Sequence, residues 1–196
     1  MGRTPTFMAS TPLGANCNPR YRAVHHSGRR HESAIQVSVV HTAEALDAEG
    51  VARYFTSPRS GGSAQRCIGA EECWRSLPDS VIPWAAPPFN TTGVHNEPAA
   101  LARWTTTQWL RHPRLLRRLA FKTAQDCHRH GLEAKWLTEG ELRLIRNGNR
   151  LVTGLTTHAL ISKVFKMSSH WDPGNGFPKR LFLLLVKRYL RQLEAL

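Results

Sequence analysis

A short apolar segment in the first quarter of the chain, followed at once by a helical pattern, limits the fold most. In "AIQVSVVH", Ile35, Val37 and Val39 alternate and Val40 adds a second apolar face, which is typical of a buried strand. In the stretch that follows, "TAEALDAEGVARYF", apolar side chains recur at helical spacing. Strand-like and helix-like pieces intermix along the rest of the chain. The sequence therefore predicts a single α/β domain with one sheet flanked by helices.

The remaining elements are predicted from shorter patterns. "SAQRCI", "CWRSLP" and "TTGVHNE" are interpreted as short strands, "PWAAPPFN" as a loop, and "LVTGLTTH" as a loop or a strand end. A long helix capped within residues 105–107 should end at Gly131, and "LFLLLVKRYLRQLEAL" should form a terminal amphipathic helix. The inner stripe of the long helix is predicted to consist of Leu115, Leu116, Leu119, Ala120, Thr123 and Cys127.

The charge balance indicates an anionic partner. Lysine and arginine outnumber aspartate and glutamate by 27 to 14 in 196 residues, which gives a net charge of +13. Nucleic acid, an acidic membrane surface and an acidic cell-wall polymer all fit such an excess. The longest purely apolar run, residues 181–186, is far shorter than the ~20 residues that span a bilayer, so no membrane insertion is expected. The N-terminal residues also lack the apolar core of a signal peptide.

The chain is expected to divide at about residue 33. Residues 1–33 are rich in proline, glycine, arginine and serine and have no periodicity, so we expect a mobile or loosely packed arm, with the folded domain at 34–196. The four cysteines include no C-x-x-C pair, which argues against a cysteine zinc site. Cys67 and Cys73 could face each other across a hairpin, although reduced, half-buried thiols are the default expectation.

The loop "SSHWDPGNGFP" carries the most suggestive chemistry. It places His170 and Asp172 two residues apart, in a segment that its prolines and glycines make stiff. His41 follows the first buried strand, and His158 lies just upstream of the loop. Two histidines and Asp172 would form a three-ligand set with a fourth position left for water, as in catalytic zinc sites. The chain has ten histidines, however, so spacing alone leaves surface or structural roles open.

Three longer motifs resemble one family. They are "VVHTAEALDAEGVARYF", "IPWAAPPFNTTGVHNEPAALARWTTTQW" and "GLTTHALISKVFKMSSHWDPGNGFP". From His41 to the C-terminus the chain resembles the zinc-dependent N-acetylmuramoyl-L-alanine amidases of the type 2, or peptidoglycan-recognition-like, family, as found in phage endolysins. The resemblance implies a central mixed β-sheet flanked by helices and a hydrolase of the amide bond between N-acetylmuramic acid and L-alanine in peptidoglycan.

The resemblance also implies roles for individual residues. His41, His158 and Asp172 would hold Zn²⁺ as metal ligands. Glu97 falls at the position of the family's catalytic carboxylate, and its alternative is a solvated carboxylate at a strand end. His170 falls where members carry a lysine or histidine that stabilises the developing oxyanion; its alternative is a surface imidazole packed near the tryptophan that follows it.

Substrate-binding residues are less clearly indicated. Trp84 and Asn90 are candidates to line the groove that binds the glycopeptide, although Trp84 could equally belong to the core. The chain departs from the family pattern at four positions, namely Gln65, Asn96, Pro98 and Asn175. None of these departures removes a predicted ligand, but together they could reduce turnover.

The sequence supports three classes of function, ranked from the best supported to the least. The first is a peptidoglycan amidase, expected to be a monomer that is made in the bacterial host cytoplasm and acts at the cell wall. The second is a peptidoglycan-binding module of the same fold that does not cut its ligand. The third, a nucleic-acid binder, rests on charge alone, because no helix-turn-helix, zinc-finger or RNA-binding aromatic signature is present.

Overall fold

The computed structural model describes residues 16–196 and arranges them around a five-stranded sheet. The strands are β1 His26–Arg29, β2 Val37–Val40, β3 Arg66–Ile68, β4 Cys73–Arg75, β5 Val81–Pro83, β6 Gly93–Pro98 and β7 Gly154–Thr157. The helices are α1 Ala48–Tyr54, α2 Thr106–Leu110, α3 Pro113–His130, α4 Glu139–Arg146, α5 His158–Phe165 and α6 Lys179–Glu194.

The main sheet is mixed, as the resemblance implied. Its strand order is β4-β3-β6-β2-β7, in which β2 pairs in parallel with β6 and β7, β3 pairs in parallel with β6, and β4 alone runs antiparallel. β1 and β5 form a separate two-stranded antiparallel sheet. The predicted fold class, a single α/β domain with a mixed central sheet, is confirmed. Because β2, β6 and β7 are parallel, their carboxyl ends meet at one edge.

The interior strand β2 is buried on both faces, which explains why apolar residues occur on both of its faces. Val37 and Val39 pack in one cluster with residues of α4 and α5. Val40 packs on the opposite face with the inner stripe of α3 and with α6, in the largest core cluster. Helices therefore cover both faces of the sheet. The carboxyl ends of its parallel strands are covered by loops instead.

The long helix is built largely as predicted. All six residues of its predicted inner stripe are buried, and Gly131 ends it in the left-handed conformation at φ 63°. Pro113, however, begins α3 as a separate helix, because a proline favours the first helical turn and lacks the N–H that a continuous helix would need. Thr105 caps the short α2 that precedes it through a capping box with Gln108. Within residues 16–196, no helix has the length and apolar character needed to cross a membrane.

Neither helices α4 and α5 nor strands β1 and β5 were predicted from the sequence. Residues 139–146 form α4, which begins with a capping box between Thr138 and Glu141. Residues 154–157, interpreted as a loop or strand end, form the edge strand β7. Residues 81–83 form β5, which is too short to show a period.

The described part of the predicted arm is packed against the domain. Residues 26–29 pair with β5, and Ala23 is buried in the cluster beneath α1. Residues 16–33 thus differ from a loosely packed arm, because strand pairing and a disulfide tie them down. Residues 1–15 lie outside the described part of the chain.

The cysteines pair differently from the option considered from the sequence. Cys17 forms a disulfide with Cys73, whereas Cys67 and Cys127 are buried free thiols. β3 and β4 do form a hairpin, but in its register Cys67 lies opposite Trp74 and not opposite Cys73. The Cys67–Cys73 pairing is therefore wrong, and so is the expectation that all four thiols are reduced.

Breaking this disulfide should lower stability without touching the cleft. It closes a loop with a sequence separation of 56, for which the chain-entropy model gives about 4 kcal/mol. We expect Cys17→Ser to lower the free energy of unfolding by about 2–4 kcal/mol in urea titrations. A reducing agent should lower the stability of the wild-type chain similarly and leave that of Cys17→Ser unchanged. Equal stability of the oxidised wild type and the variant would contradict the prediction.

Candidate functional site

Strand register brings three of the predicted residues together. The last residue of β2 pairs with the residue before Glu97 in β6 and with the last residue of β7. His41, Glu97 and His158 each come one position later. They therefore lie side by side at the carboxyl edge of the sheet, where α/β proteins usually present reactive groups.

The loop after α5 brings Asp172 to the same edge. The N–H of Ala159 donates to the Asp172 carbonyl at 2.8 Å, and the N–H of Thr42 donates to Asp172 Oδ2 at 3.3 Å. Glycines let this loop lie directly on the neighbouring backbone, since a Cβ at Gly174 would overlap the Ala102 carbonyl oxygen. The stiffness inferred from the sequence thus serves to hold Asp172 in place.

His41, His158 and Asp172 form a buried cluster that fits a metal ion. Asp172 Oδ2 lies 3.2 Å from His41 Nδ1, and Asp172 Oδ1 lies 3.3 Å from His158 Nδ1. One ligand atom from each residue lies within 4.8 Å of the others. Two imidazole nitrogens and one carboxylate, with no fourth protein ligand, are the donor set of catalytic zinc sites.

The charge state of Asp172 suits a metal ligand. Burial by itself would raise the pKa of this carboxyl group, but the adjacent imidazoles of His158 and His41 outweigh burial and hold the pKa well below its usual range. Asp172 is therefore an ionised carboxylate at neutral pH, which is the form that binds metal.

The pKa of Glu97 is shifted in the opposite direction from that of Asp172. Burial raises its pKa to about 8, and the neighbouring negative charge of Asp172 adds to the shift. Its Oε1 lies 3.6 Å from His41 Nδ1, and its buried Oε2 has no hydrogen-bond partner among the described residues. A carboxyl group with a pKa near neutrality and an unoccupied oxygen is equipped to exchange a proton with a bound molecule.

His170 lies beside the cluster on the solvent side. Its ring stacks on that of His158 with the centroids 4.3 Å apart, and its Nδ1 lies 3.5 Å from Asp172 Oδ1. Burial and the neighbouring His158 lower its pKa. The lowered pKa favours the neutral imidazole, which can still donate a hydrogen bond.

These residues open into a cleft of about 650 Å³. Three exposed aromatic side chains, Tyr54, Trp84 and Trp171, line its walls. Trp84 is 45% exposed and stacks on His25, so it does not belong to the core. Asn90 is not among the lining residues; its Oδ1 accepts hydrogen bonds from two backbone N–H groups of the loop that carries Trp84.

Two further residues lie near the cluster, and sequence reasoning missed the second of them, His95. Glu44 has a positive φ of 51°, and its Oε1 accepts hydrogen bonds from Thr42 Oγ1 and the Ala102 N–H, both at 2.7 Å. His95 is fully buried, and its Nδ1 lies 3.0 Å from His41 Nε2. Burial, followed by the charge of His41, places the pKa of His95 well below the usual value. Its position two residues before Glu97 could have revealed it, because alternate residues of a strand share one face.

The fold and the site define an α/β domain with a His-His-Asp cluster at the carboxyl edge of a mixed sheet. The Staphylococcus aureus hydrolase AmiA, solved with its ligand, shares this fold with a TM-score of 0.66 and 14% identity, over 92% of this chain and 86% of AmiA. AmpD superposes with a TM-score of 0.55 and 18% identity, over 88% of this chain and 95% of AmpD.

A weaker likeness is to the N-acetylmuramoyl-L-alanine amidase LysC from Clostridium intestinale URNW. It has a TM-score of 0.47 and 14% identity, over 87% of this chain and 99% of LysC. No protein-family model matches the chain, and no curated protein sequence does. At these identities the AmiA and AmpD likenesses show the fold.

Proposed function

We propose that this chain is a zinc-dependent N-acetylmuramoyl-L-alanine amidase that cleaves peptidoglycan between N-acetylmuramic acid and L-alanine. The observation that carries the proposal is the convergence of His41, His158 and Asp172 beside Glu97 in an open cleft. The three sequence motifs support the reaction, and the fold shared with the hydrolase AmiA supports the scaffold.

The metal would be held by His41 Nδ1, His158 Nδ1 and one oxygen of Asp172. All three side chains are buried, and their ligand atoms already converge. Bound there, Zn²⁺ would supply an activated water molecule and polarise the scissile carbonyl.

The chain's own residues supply the proton transfers and the positioning. Glu97, with its pKa near 8 and a free Oε2, takes the proton of the attacking water and delivers it to the nitrogen of the leaving L-alanine. His170 lies on the solvent side of the cluster, where it donates a hydrogen bond to the oxyanion that develops on the carbonyl.

The walls of the cleft suit an amphipathic glycopeptide. Exposed aromatic rings offer flat apolar faces, and Tyr54, Trp84 and Trp171 are placed to pack against the sugar ring or the first residues of the peptide. Asn90 then acts indirectly, by holding the loop that carries Trp84. The net charge of +13 favours attraction to anionic wall polymers.

The alternative is a peptidoglycan-binding module that does not cut. Such a module needs neither a group of residues that could hold a metal nor a carboxyl group with a raised pKa, and both features support the amidase. The amidase is therefore the favoured function. We further propose a monomer that is made in the host cytoplasm as a phage or prophage endolysin and acts at the cell wall.

Product analysis tests the bond that is cut. Purified peptidoglycan incubated with the protein should gain free amino groups on L-alanine and should gain no reducing sugar ends. A variant that lacks the general acid/base, Glu97→Gln, serves as the matched control. New reducing ends would indicate glycosidase chemistry, which needs paired carboxylates on either side of a sugar. Binding to the wall without either product would favour the non-catalytic module.

A further inference from the structure

His95 lies directly behind the metal-binding cluster. Its ring is completely buried, and its Nδ1 is 3.0 Å from His41 Nε2. On its other side, His95 Nε2 faces the Phe89 carbonyl oxygen at 3.4 Å. His41 therefore presents Nδ1 to the cluster and Nε2 to His95, so the two rings and the carbonyl form one line of contacts.

The Phe89 carbonyl determines which ring nitrogens of His95 and His41 donate and which accept. A carbonyl oxygen can only accept, so His95 Nε2 carries a hydrogen and points it at Phe89. A neutral imidazole then offers Nδ1 as its acceptor, and His41 Nε2 must be the donor. With its hydrogen on Nε2, His41 keeps the lone pair of Nδ1 on the side of Asp172.

We infer that His95 is a positioning residue that fixes His41 in the tautomer and ring orientation needed to bind zinc through Nδ1. This inference rests on the proposed function for the identity of the metal. Partners of this kind behind a metal-bound histidine typically change metal affinity by about 10–100-fold when they are removed.

The strand that carries His95 is built around its ring. A Cβ at Gly93 would lie 2.7 Å from His95 Nε2 and 2.7 Å from the Phe89 carbonyl oxygen, so only glycine leaves room for this contact. The side chain of Gln65 fixes the backbone of His95, because its Oε1 accepts the His95 N–H at 2.8 Å. The Gln65 departure from the family pattern thus supports the placement of His95.

Zinc affinity of three variants tests the inference. His95→Leu removes the acceptor at similar bulk, His95→Asn keeps an oxygen near the position of Nδ1, and Val94→Ala trims a buried side chain of the same strand on the opposite face. In competition with a chelating dye, His95→Leu should bind Zn²⁺ about 10–100-fold more weakly. His95→Asn should recover much of that loss, and Val94→Ala should bind like the wild type. Equal affinity of His95→Leu and the wild type would overturn the inference.

A spectroscopic measurement on metal-free protein separates this inference from the proposed function. Nitrogen-15 NMR of the histidine rings distinguishes protonated from unprotonated nitrogens. In the metal-free wild type, we expect a hydrogen on His41 Nε2 and none on His95 Nδ1. A hydrogen on His95 Nδ1 with a bare His41 Nε2 would refute the role of His95 whatever metal the protein binds. Failure of the wild type to bind zinc, with the expected tautomer present, would refute the proposed metal and leave the orientation of His41 established.

Discussion

Substitution of His158 by alanine is expected to remove the bound zinc and with it nearly all hydrolytic activity. His158 supplies one of three converging ligand atoms, and zinc sites with only two protein ligands bind the metal poorly. Purified wild-type protein should contain about one zinc per chain by elemental analysis. The variant should contain little, and its release of amino groups from peptidoglycan should fall to background.

The controls for this experiment come from the same chain. His128 is exposed in the last turn of α3, away from the cleft, so His128→Ala should retain full zinc content and activity. A chelator should inactivate the wild type, and added Zn²⁺ should restore it. Metal-free protein with full activity would end the zinc proposal. A far-ultraviolet circular dichroism spectrum like that of the wild type should show that His158→Ala still folds.

The fold was largely predictable because its main signals are local. The alternating apolar pattern of β2 and the inner stripe of α3 reflect burial on the faces that the structure shows. β5 has only three residues, which are too few to show the alternation of apolar and polar residues that marks a strand. The break between α2 and α3 depends on a single proline, Pro113, whose effect the continuous apolar stripe concealed.

The candidate site was predictable for a different reason. His41 and His158 directly follow strands, and parallel strands bring such positions to one edge. Spacing also suggested Asp172 as the third ligand but could not establish that it reaches the site, because loop "SSHWDPGNGFP" arrives through contacts distant in sequence, such as the bond from the Thr42 N–H. Strand alternation could have marked His95 as a neighbour of the site, but its contact with His41 depends on ring orientation, which no sequence pattern specifies.

Long-range pairings explain the remaining differences. Cys17 reaches Cys73 because backbone hydrogen bonds between residue 18 and β4 hold the segment against that strand, and a count of cysteines cannot reveal such a path. Asn96 departs from the family pattern, and its side chain donates to Asp126 at 2.9 Å within a buried network that includes Arg66. A polar residue in a core strand is stable only when such partners are present.

Glu97→Gln should separate catalysis from metal binding. Glutamine has nearly the same shape as glutamate but cannot take up a proton from water, so loss of the general acid/base should lower kcat by roughly 10²–10⁴-fold. Glu97 is outside the ligand set, and the zinc content should stay at the wild-type level. The matched control is Glu71→Gln, since Glu71 is an exposed carboxylate whose one ion pair within residues 16–196 is with Arg114, and it should be dispensable. A wild-type rate in Glu97→Gln would mean that the acid lies elsewhere, with Glu44 the next residue to test because it also lines the cleft. Loss of zinc in Glu97→Gln would instead place Glu97 among the ligands, and the division of roles between Glu97 and Asp172 would then be wrong.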